Sequence, residues 1–576
     1  MTDRFGTAPR VKLDGQWIEG EVGTQLIQTT VLTDLNAPGM CEVVLADATR
    51  TLLSDLGAEF GQDIEIHASA VEDRAEHPIF VGTVYGLEFQ ADETGCFSLI
   101  RGYDPTYALR QRRAVTSYND VTDSDLVNSL CGEAGVTVDA VEGGDNVHPY
   151  VAQLNETHWD FLVRRADAVG SRLHATGGKI SFEPIADAAD APDPGDHQSS
   201  DPLQLAPGLN VLYLRARQSA AQLTEEVEVR GWDPVEKKEV TARHEVSTSA
   251  ASADAEPRQV ASAQGDAIRI AGRPALSDPD QCQSLATAYA GRLGGAFAFV
   301  EGKAYGDPNL VAGTAVSIGQ SGRFDGRYTL SSARHVFDQD GYFTYFVISG
   351  EHDRSLFGVL GTPSTDAPPG VFPAVVTNIN DPDKLGRVKL RLPWLSADFE
   401  SNWARVMQLG AGPERGLLLL PEVDDEVLVS FLGGDVSHPV VIGGLFNGVD
   451  KPPGDGFDDV SDGTVDTRGL QSRVGHSIML SDTSGEERVV IATSDQSVVI
   501  TLDQADGGAV TIDAQGDVTV NAAGKVTVDA KGDLTGKAGG NIALEASGNA
   551  TFRAGGNLKL EASGTVEVKG AVINLN

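Results

Sequence analysis

Cysteine is nearly missing from this chain of 576 residues: Cys41, Cys96, Cys131 and Cys282 are all there is. None is spaced as a CxxC pair. That excludes a zinc ribbon, a thioredoxin-like motif and a disulfide framework, and it predicts reduced, mostly buried thiols in a protein made in the cytoplasm. Positive charge is short too: 44 Lys and Arg stand against 83 Asp and Glu, a formal net charge of −39. Such a surface repels nucleic acid and anionic headgroups, so neither is expected as a partner. No apolar run approaches the ~20 residues of a membrane span, and the N-terminus, MTDRFGTAPRVK, has no signal-peptide core. Any membrane role is therefore mechanical or indirect.

Catalytic constellations are absent as well. The eleven histidines are dispersed, with no HExxH and none after His476. No GxSxG elbow or Cys–His arrangement occurs, and carboxylates are too numerous for any pair to stand out. No enzyme, metal or cofactor is expected. Aromatic residues make up 6% of the chain while glycine reaches 65 residues, as suits several mainly β domains with many turns.

What is present is a repeat. Gly508, Gly516, Gly524, Gly532, Gly540, Gly548, Gly556 and Gly564 fall at every eighth position. Between them, apolar residues alternate with Thr, Lys, Asp, Glu and Asn, which gives short strands with one apolar face. That face holds Val510, Ile512, Val518, Val520, Val526, Val528, Leu534, Ile542, Leu544, Phe552, Leu558, Leu560, Val566 and Val568. Alanine fills the sixth place of each octad. The glycines are expected to free the backbone to turn a corner after each strand. Eight residues make one side of a triangular prism, so either one chain winds three octads per turn or three chains each supply a side. Residues 509–576 carry six basic and seven acidic side chains, so the acidity lies before the repeat.

Upstream, residues 1–120 read as strands and turns. A helix is expected at about 122–134, capped by Thr122 or Asp123 and stopped by Gly135. A second starts at Thr157 with Asp160 in a capping-box position and ends at Gly170. A third covers 280–293. Two Pro/Ala/Asp-rich stretches, 186–202 and 246–259, read as exposed excursions without packing material. TPSTDAPPG at 362–370 reads as a linker. Beyond it, alternation predicts strands at Arg387–Leu392, Leu417–Leu420 and Glu426–Phe431, and GAGPERG, with Gly410, Gly412 and Gly416, reads as a hairpin turn rather than a phosphate loop.

Two stretches resemble a known family. GYDPTYALRQRRAVTSYNDVTDSDLVNSLCGEAGV with NETHWDFLVRRADAVGSRLH resembles the phage late-control baseplate hub and the N-terminal half of VgrG proteins. Residues 371–448 resemble the family's OB-fold through Gly386-Arg387-Val388, Pro393-Trp394, Trp403, Arg405-Val406, Pro421, Asp425-Glu426-Val427 and His438-Pro439. RVGHSIMLSDTSGEERVVIATSD at 473–495 resembles its neck.

The resemblance implies a hub at 1–361 made of two barrel-like α+β sub-domains that repeat each other, then the linker, the OB-fold at 371–448, a linker and neck at 449–496, and a trimeric β-helix needle at 497–576. It implies a homotrimeric central spike of a contractile injection apparatus, joined to inner tube and baseplate proteins and able to carry effector cargo. A PAAR-type tip protein is expected at the blunt end Val572, Ile573, Asn574, Leu575 and Asn576. No lysozyme or toxin extension is present, which points to an extracellular or phage-tail-like particle. The alternatives are a tail spike with cell-wall hydrolase activity and a surface β-helix adhesin or lyase. Arg387, Lys389, Arg391 and Trp394 form a small basic-aromatic cluster, but an acidic setting argues against nucleic-acid binding there.

Overall fold

The computed structural model describes residues 5–6, 8–69, 76–195, 201–221, 223–263, 265, 267–350, 370–454, 457, 460–461, 463–504 and 507–575. Residues 362–369 of the expected linker at 362–370, and Asn576, lie outside them. Two units form, Met1–Lys451 and Pro452–Asn576.

The first unit is built on one eleven-stranded sheet. Eight adjacent strands of it are a four-strand unit used twice. Leu26–Asp34, Ala37–Ala46, Glu76–Asp92 and Gly95–Tyr103 come in that order along the chain, with Asp63–Ser69 between the second and the third, and occupy positions one, two, four and three of their half. Val211–Gln218, Ala298–Tyr305, Ser332–Asp338 and Gly341–Ile348 repeat that order in the other half.

Local detail confirms the repeat. A bulge puts Ile27 out of register between Leu26 and Gln28, and another does the same to Leu212 between Val211 and Tyr213. The turns Asp92-Glu93-Thr94-Gly95 and Asp338-Gln339-Asp340-Gly341 match. In each, the third residue's amide donates to the leading aspartate, at 2.7 and 2.9 Å, and the closing glycine has φ of +151° or +132°, which a side chain would resist. The two copies of the four-strand unit are fused within one sheet where Ser332–Asp338 pairs antiparallel with Leu26–Asp34.

At that seam His335 faces Val31, both fully buried. His335 Nδ1 lies 2.9 Å from the Tyr342 hydroxyl and 3.2 Å from Thr344 Oγ1. Burial pushes its imidazole down to about 4, and burial also lowers His158 and His174. An unfolded histidine takes up its proton near 6.5, so His335 contributes stability that is whole above that pH and lost as the pH falls towards 4. The shift amounts to about 3 kcal/mol. Urea unfolding of the hub is expected to weaken steeply between pH 6.5 and 4, and less steeply in His335→Gln.

Between the repeats lies an α+β insert. Thr122 caps the Asp123–Ala134 helix in a reciprocal capping box with Asp125, and left-handed Gly135 ends it. Thr157 caps His158–Val169, which ends at left-handed Gly170. Both start as the sequence predicts, and the third helix runs from Pro279 to Gly295. The first two bury Leu126, Val127, Leu130, Trp159, Phe161 and Leu162 in one core. The expected excursions differ from the reading. Ala188, Ala191, Val246 and Ala250 are buried, and Ala251–Ala253 pairs with Gly326–Tyr328. Alanine fills narrow gaps between strands, which composition alone does not reveal.

The OB region closes as a small barrel. Its sheet runs Lys389–Arg391, Phe372–Asn378, Glu426–Phe431, Pro439–Gly444, Arg405–Val406, and a Val388–Ala404 bridge joins the ends. Ala152 from the His148–Thr157 strand enters the same core as Val376, Leu390 and Val427, and the Tyr150 hydroxyl donates to Glu400 O at 3.0 Å. GAGPERG forms a hairpin, pairing Ala411–Gly412 with Arg415–Gly416. Leu417–Leu420 is not a strand. Four consecutive leucines cannot alternate, and the Gln408 carboxamide already occupies the Leu419 amide and carbonyl.

Candidate functional site: an aliphatic face from neck to needle

In the second unit, after a short Val460–Ser461/Thr464–Val465 pairing, comes a five-stranded antiparallel meander: Thr467–Gln471, Ser477–Ser481, Arg488–Ala492, Val498–Asp503 and Ala509–Ala514. Alternation puts every second residue on one face, and the register lines these into two rows. Ile478, Ile491, Ile500 and Ile512 stand opposite one another in turn, and so do Leu480, Val489, Leu502 and Val510. The face is uncovered: Ile478, Leu480, Ile491 and Leu502 are each 45 or 46% exposed. The sequence boundary between neck and needle, at 496/497, falls between the third and fourth strands of this meander. The alternation in SIML, RVVIA and VVITLD is visible in the sequence, but which of these strands stand side by side is not, so the two rows emerge only from the register.

Val510 and Ile512 belong both to the rows and to the first octad. From Gly516 on, each octad is an extended run that bends at its glycine. Lys559 pairs with Glu561, and Lys569 with Glu567 at 2.5 Å, as residues two apart on one face of an extended chain do. Among the described residues 516–575 there is no strand ladder and no backbone–backbone hydrogen bond. A single chain winding three octads per turn would stack each octad on one three further along and form such a ladder. Val518, Val520, Val526, Val528, Leu534, Ile542, Leu544, Phe552, Leu558, Leu560, Val566 and Val568 are all at least half exposed. At the end, Val572, Ile573 and Leu575 are exposed as well.

The corner glycines behave differently from expectation. Only Gly508, at φ +88°, is left-handed; the other seven bend without positive φ. A Cβ built at Gly516, Gly524, Gly532, Gly540, Gly548, Gly556 or Gly564 would meet nothing within the chain.

In the OB barrel, the basic cluster is not an open groove. Arg387 pairs with Asp381 at 2.6 Å and with Asp383 at 2.5 Å, and Lys389 with Glu400 at 2.8 Å. Trp394 stacks on Phe372 and donates to Pro373 O. Asp381 organises its loop by also accepting from the amides of Asp383, Leu385 and Arg387. The Arg387 guanidinium, outweighing burial, holds the Asp381 carboxyl well below the usual range. Removing one buried carboxylate that satisfies three amides and a guanidinium costs about 3 kcal/mol or more. Asp381→Ala is expected to lower the barrel's unfolding midpoint, followed by Trp394 and Trp403 fluorescence, with Asp381→Asn intermediate.

No group of three His, Cys, Asp or Glu able to hold a metal ion occurs among the described residues, and no described helix is long and apolar enough to cross a membrane.

Residues 372–446 match the model of the type VI secretion system/phage-baseplate injector OB domain, and residues 7–339 match that of the Alg8 N-terminal domain. The type VI secretion system spike protein VgrG3 of Vibrio cholerae serotype O1 is 30% identical over 129 residues, covering 22% of this chain and 13% of that protein. VgrG2a of Pseudomonas aeruginosa is 36% identical over 75 residues, 12% of this chain and 9% of that one. The chain therefore spans a small part of these relatives' length. A chain of the Francisella PdpA–VgrG complex shares the fold, with a TM-score of 0.51, 9% identity and 88% coverage of both chains. With one family model spanning more than half of its length, the chain belongs to the Alg8 N-terminal domain family and, with its injector OB domain, to the VgrG and phage baseplate hub-spike proteins.

Proposed function

We propose that this chain is the central spike of a contractile injection apparatus and works as a homotrimer. Supporting this is one observation above all: two aliphatic rows leave the meander and continue through the octads, uncovered in a single chain. Three copies around an axis would bury those rows against one another, giving each octad strand a hydrogen-bonding neighbour on both sides and the needle no open edge. Layers ~4.8 Å apart would make a rod of about 40 Å. Stiffness follows from the closed backbone network, and a dry aliphatic axis resists bending. The non-left-handed glycines also fit, because their missing side chains would matter where neighbouring chains come close, not within one chain.

The role is mechanical. The hub would meet inner tube and baseplate proteins, and its internal repeat would present three copies as six similar units. Val572 to Asn576 would seat a PAAR-type tip, and the target membrane would be met by force. Effector cargo would ride on the spike. Light scattering of the purified chain tests this reading: a trimer is expected, and a monomer would refute it.

A further inference from the structure

Four strands of the hub sheet, Val211–Gln218, Ala298–Tyr305, Gly341–Ile348 and Ser332–Asp338, lie side by side. One face of them is packed: Val300, Ala304, Phe346 and Ala333 are buried. Alternation sends the neighbours of these residues to the other face, and that face is open and basic. Short of the Asp338 turn it carries Arg215, Arg217, Lys303 and Arg334 against one carboxylate, Glu301. The chain as a whole has a net charge of −39, so this local excess of cations runs against its background.

The cations are held in place. Glu301 takes Arg215 at 3.2 Å. The other three enter no ion pair among the described residues and lie on rings instead. Arg217 sits 5.4 Å from the Phe299 centroid, Lys303 3.7 Å from that of Phe343, and Arg334 4.7 Å from that of Tyr345. Tyr213, Lys303, Tyr345 and Arg334 stand across from one another strand by strand, a row in which ring and cation alternate. Lys303 and Arg334, two strands apart, are separated by about 10 Å.

The internal repeat supplies a control. Its bulges and turns carry Tyr213 onto Gln28 and Asp338 onto Asp92. In the places of Arg215, Arg217, Lys303 and Arg334 the other half has Thr30, Leu32, Val44 and Glu88. Its own cation on that face, Arg101, is taken by Glu42 at 2.7 Å and Glu88 at 2.6 Å. The same strand order thus forms without a basic face, and folding does not account for one.

We infer that this face docks an acidic stretch of polypeptide, lying across the strands with carboxylates on Arg217, Lys303 and Arg334. Cations already held against rings lose little freedom on binding, and the rings between them receive the partner's apolar parts. The basic area is four strands wide, about 15 Å. A short acidic segment fits within it, whereas a nucleic-acid strand would run on over the acidic surface around it. The partner's role as cargo rests on the spike reading; the binding itself does not.

The test uses the full-length chain and a short fluorescein-labelled peptide in which Glu alternates with Ala, followed by fluorescence anisotropy. Binding is expected, weakening as salt is raised, and none is expected when Gln replaces every Glu. Lys303→Gln with Arg334→Gln should weaken it about tenfold, while Lys237→Gln with Lys238→Gln, the same charge loss elsewhere, should leave it unchanged. Lys303→Arg with Arg334→Lys should keep it, and amide exchange across 298–305 should match the parent in all three. No binding, equal binding by the Lys303→Gln/Arg334→Gln chain, or tighter binding of a single-stranded oligonucleotide of equal charge overturns the inference. A trimer by light scattering that ignores the peptide overturns the docking face and leaves the spike intact. A monomer that binds it supports the face and refutes the spike.

Discussion

A Val528→Asp chain is expected to run as a monomer in light scattering where the parent runs as a trimer. Val528 is 70% exposed in one chain, so the substitution meets nothing within a lone molecule. In the proposed trimer it would face its own two copies. Three valines would lose their burial, at about 1.5–3 kcal/mol for each fully buried side chain. Three carboxylates would also be desolvated within a few ångströms of one another, at several kcal/mol per ion, with no cation in the aliphatic axis to offset them. The sum exceeds what neighbouring octads can supply. Lys531→Glu supplies the control. It points outward by the same alternation and is expected to leave mass and melting within ~0.5 kcal/mol of the parent. A Val528→Asp trimer of full stability would mean that the octad face is not the axis.

The second large effect lies in the hub. Asp123 is almost fully buried at the start of its helix. Its carboxylate accepts from Arg165 Nε at 2.6 Å and Nη2 at 3.1 Å, and lies 3.0 Å from His148 Nε2. Burial alone would raise its pKa, but the bonds from His148 and Arg165 outweigh burial and hold it below the usual value. Asp123→Ala strands a guanidinium with 14% of its side chain exposed. Breaking such a pair typically costs 3–5 kcal/mol. The damage would spread, because His148 begins the strand that sends Tyr150 and Ala152 into the OB barrel. Urea unfolding is expected to lose this stability in Asp123→Ala, whereas Arg165→Met with Asp123→Leu should recover part of it by removing both charges.

Local signals were legible in the sequence wherever the physics is local. Thr122, Thr157, Gly135 and Gly170 mark their helix ends because capping involves residues three apart. The octads announce themselves by period. The hub repeat was legible only through the resemblance. Its two copies share bulge positions and the Asp-x-x-Gly turn, but strand pairing joins residues some three hundred positions apart, and apolar residues interchange freely at core sites. The meander rows fall between these cases. Their alternation is plain in each strand, yet which strands stand side by side depends on turn lengths. Leu417–Leu420 sits beside segments that do alternate, but four leucines in a row carry no period of two, and the expected strand there does not form. Ala188 and Ala250 misled because small residues in polar company look like loop.

In the proposed trimer the meander would have a consequence for assembly. Its five strands follow one another through short turns and pair within one polypeptide, as low-contact-order structure does. The octads make no such pairs within one chain and would order only against other copies. A perfect eight-residue period also permits a mistake, since three shafts shifted by one octad would match almost as well as three aligned. Meanders that fold first would give three copies a common starting line. Zippering would then run towards the C-terminus, and the neck would be the place where three molecules are counted and aligned before the shaft exists.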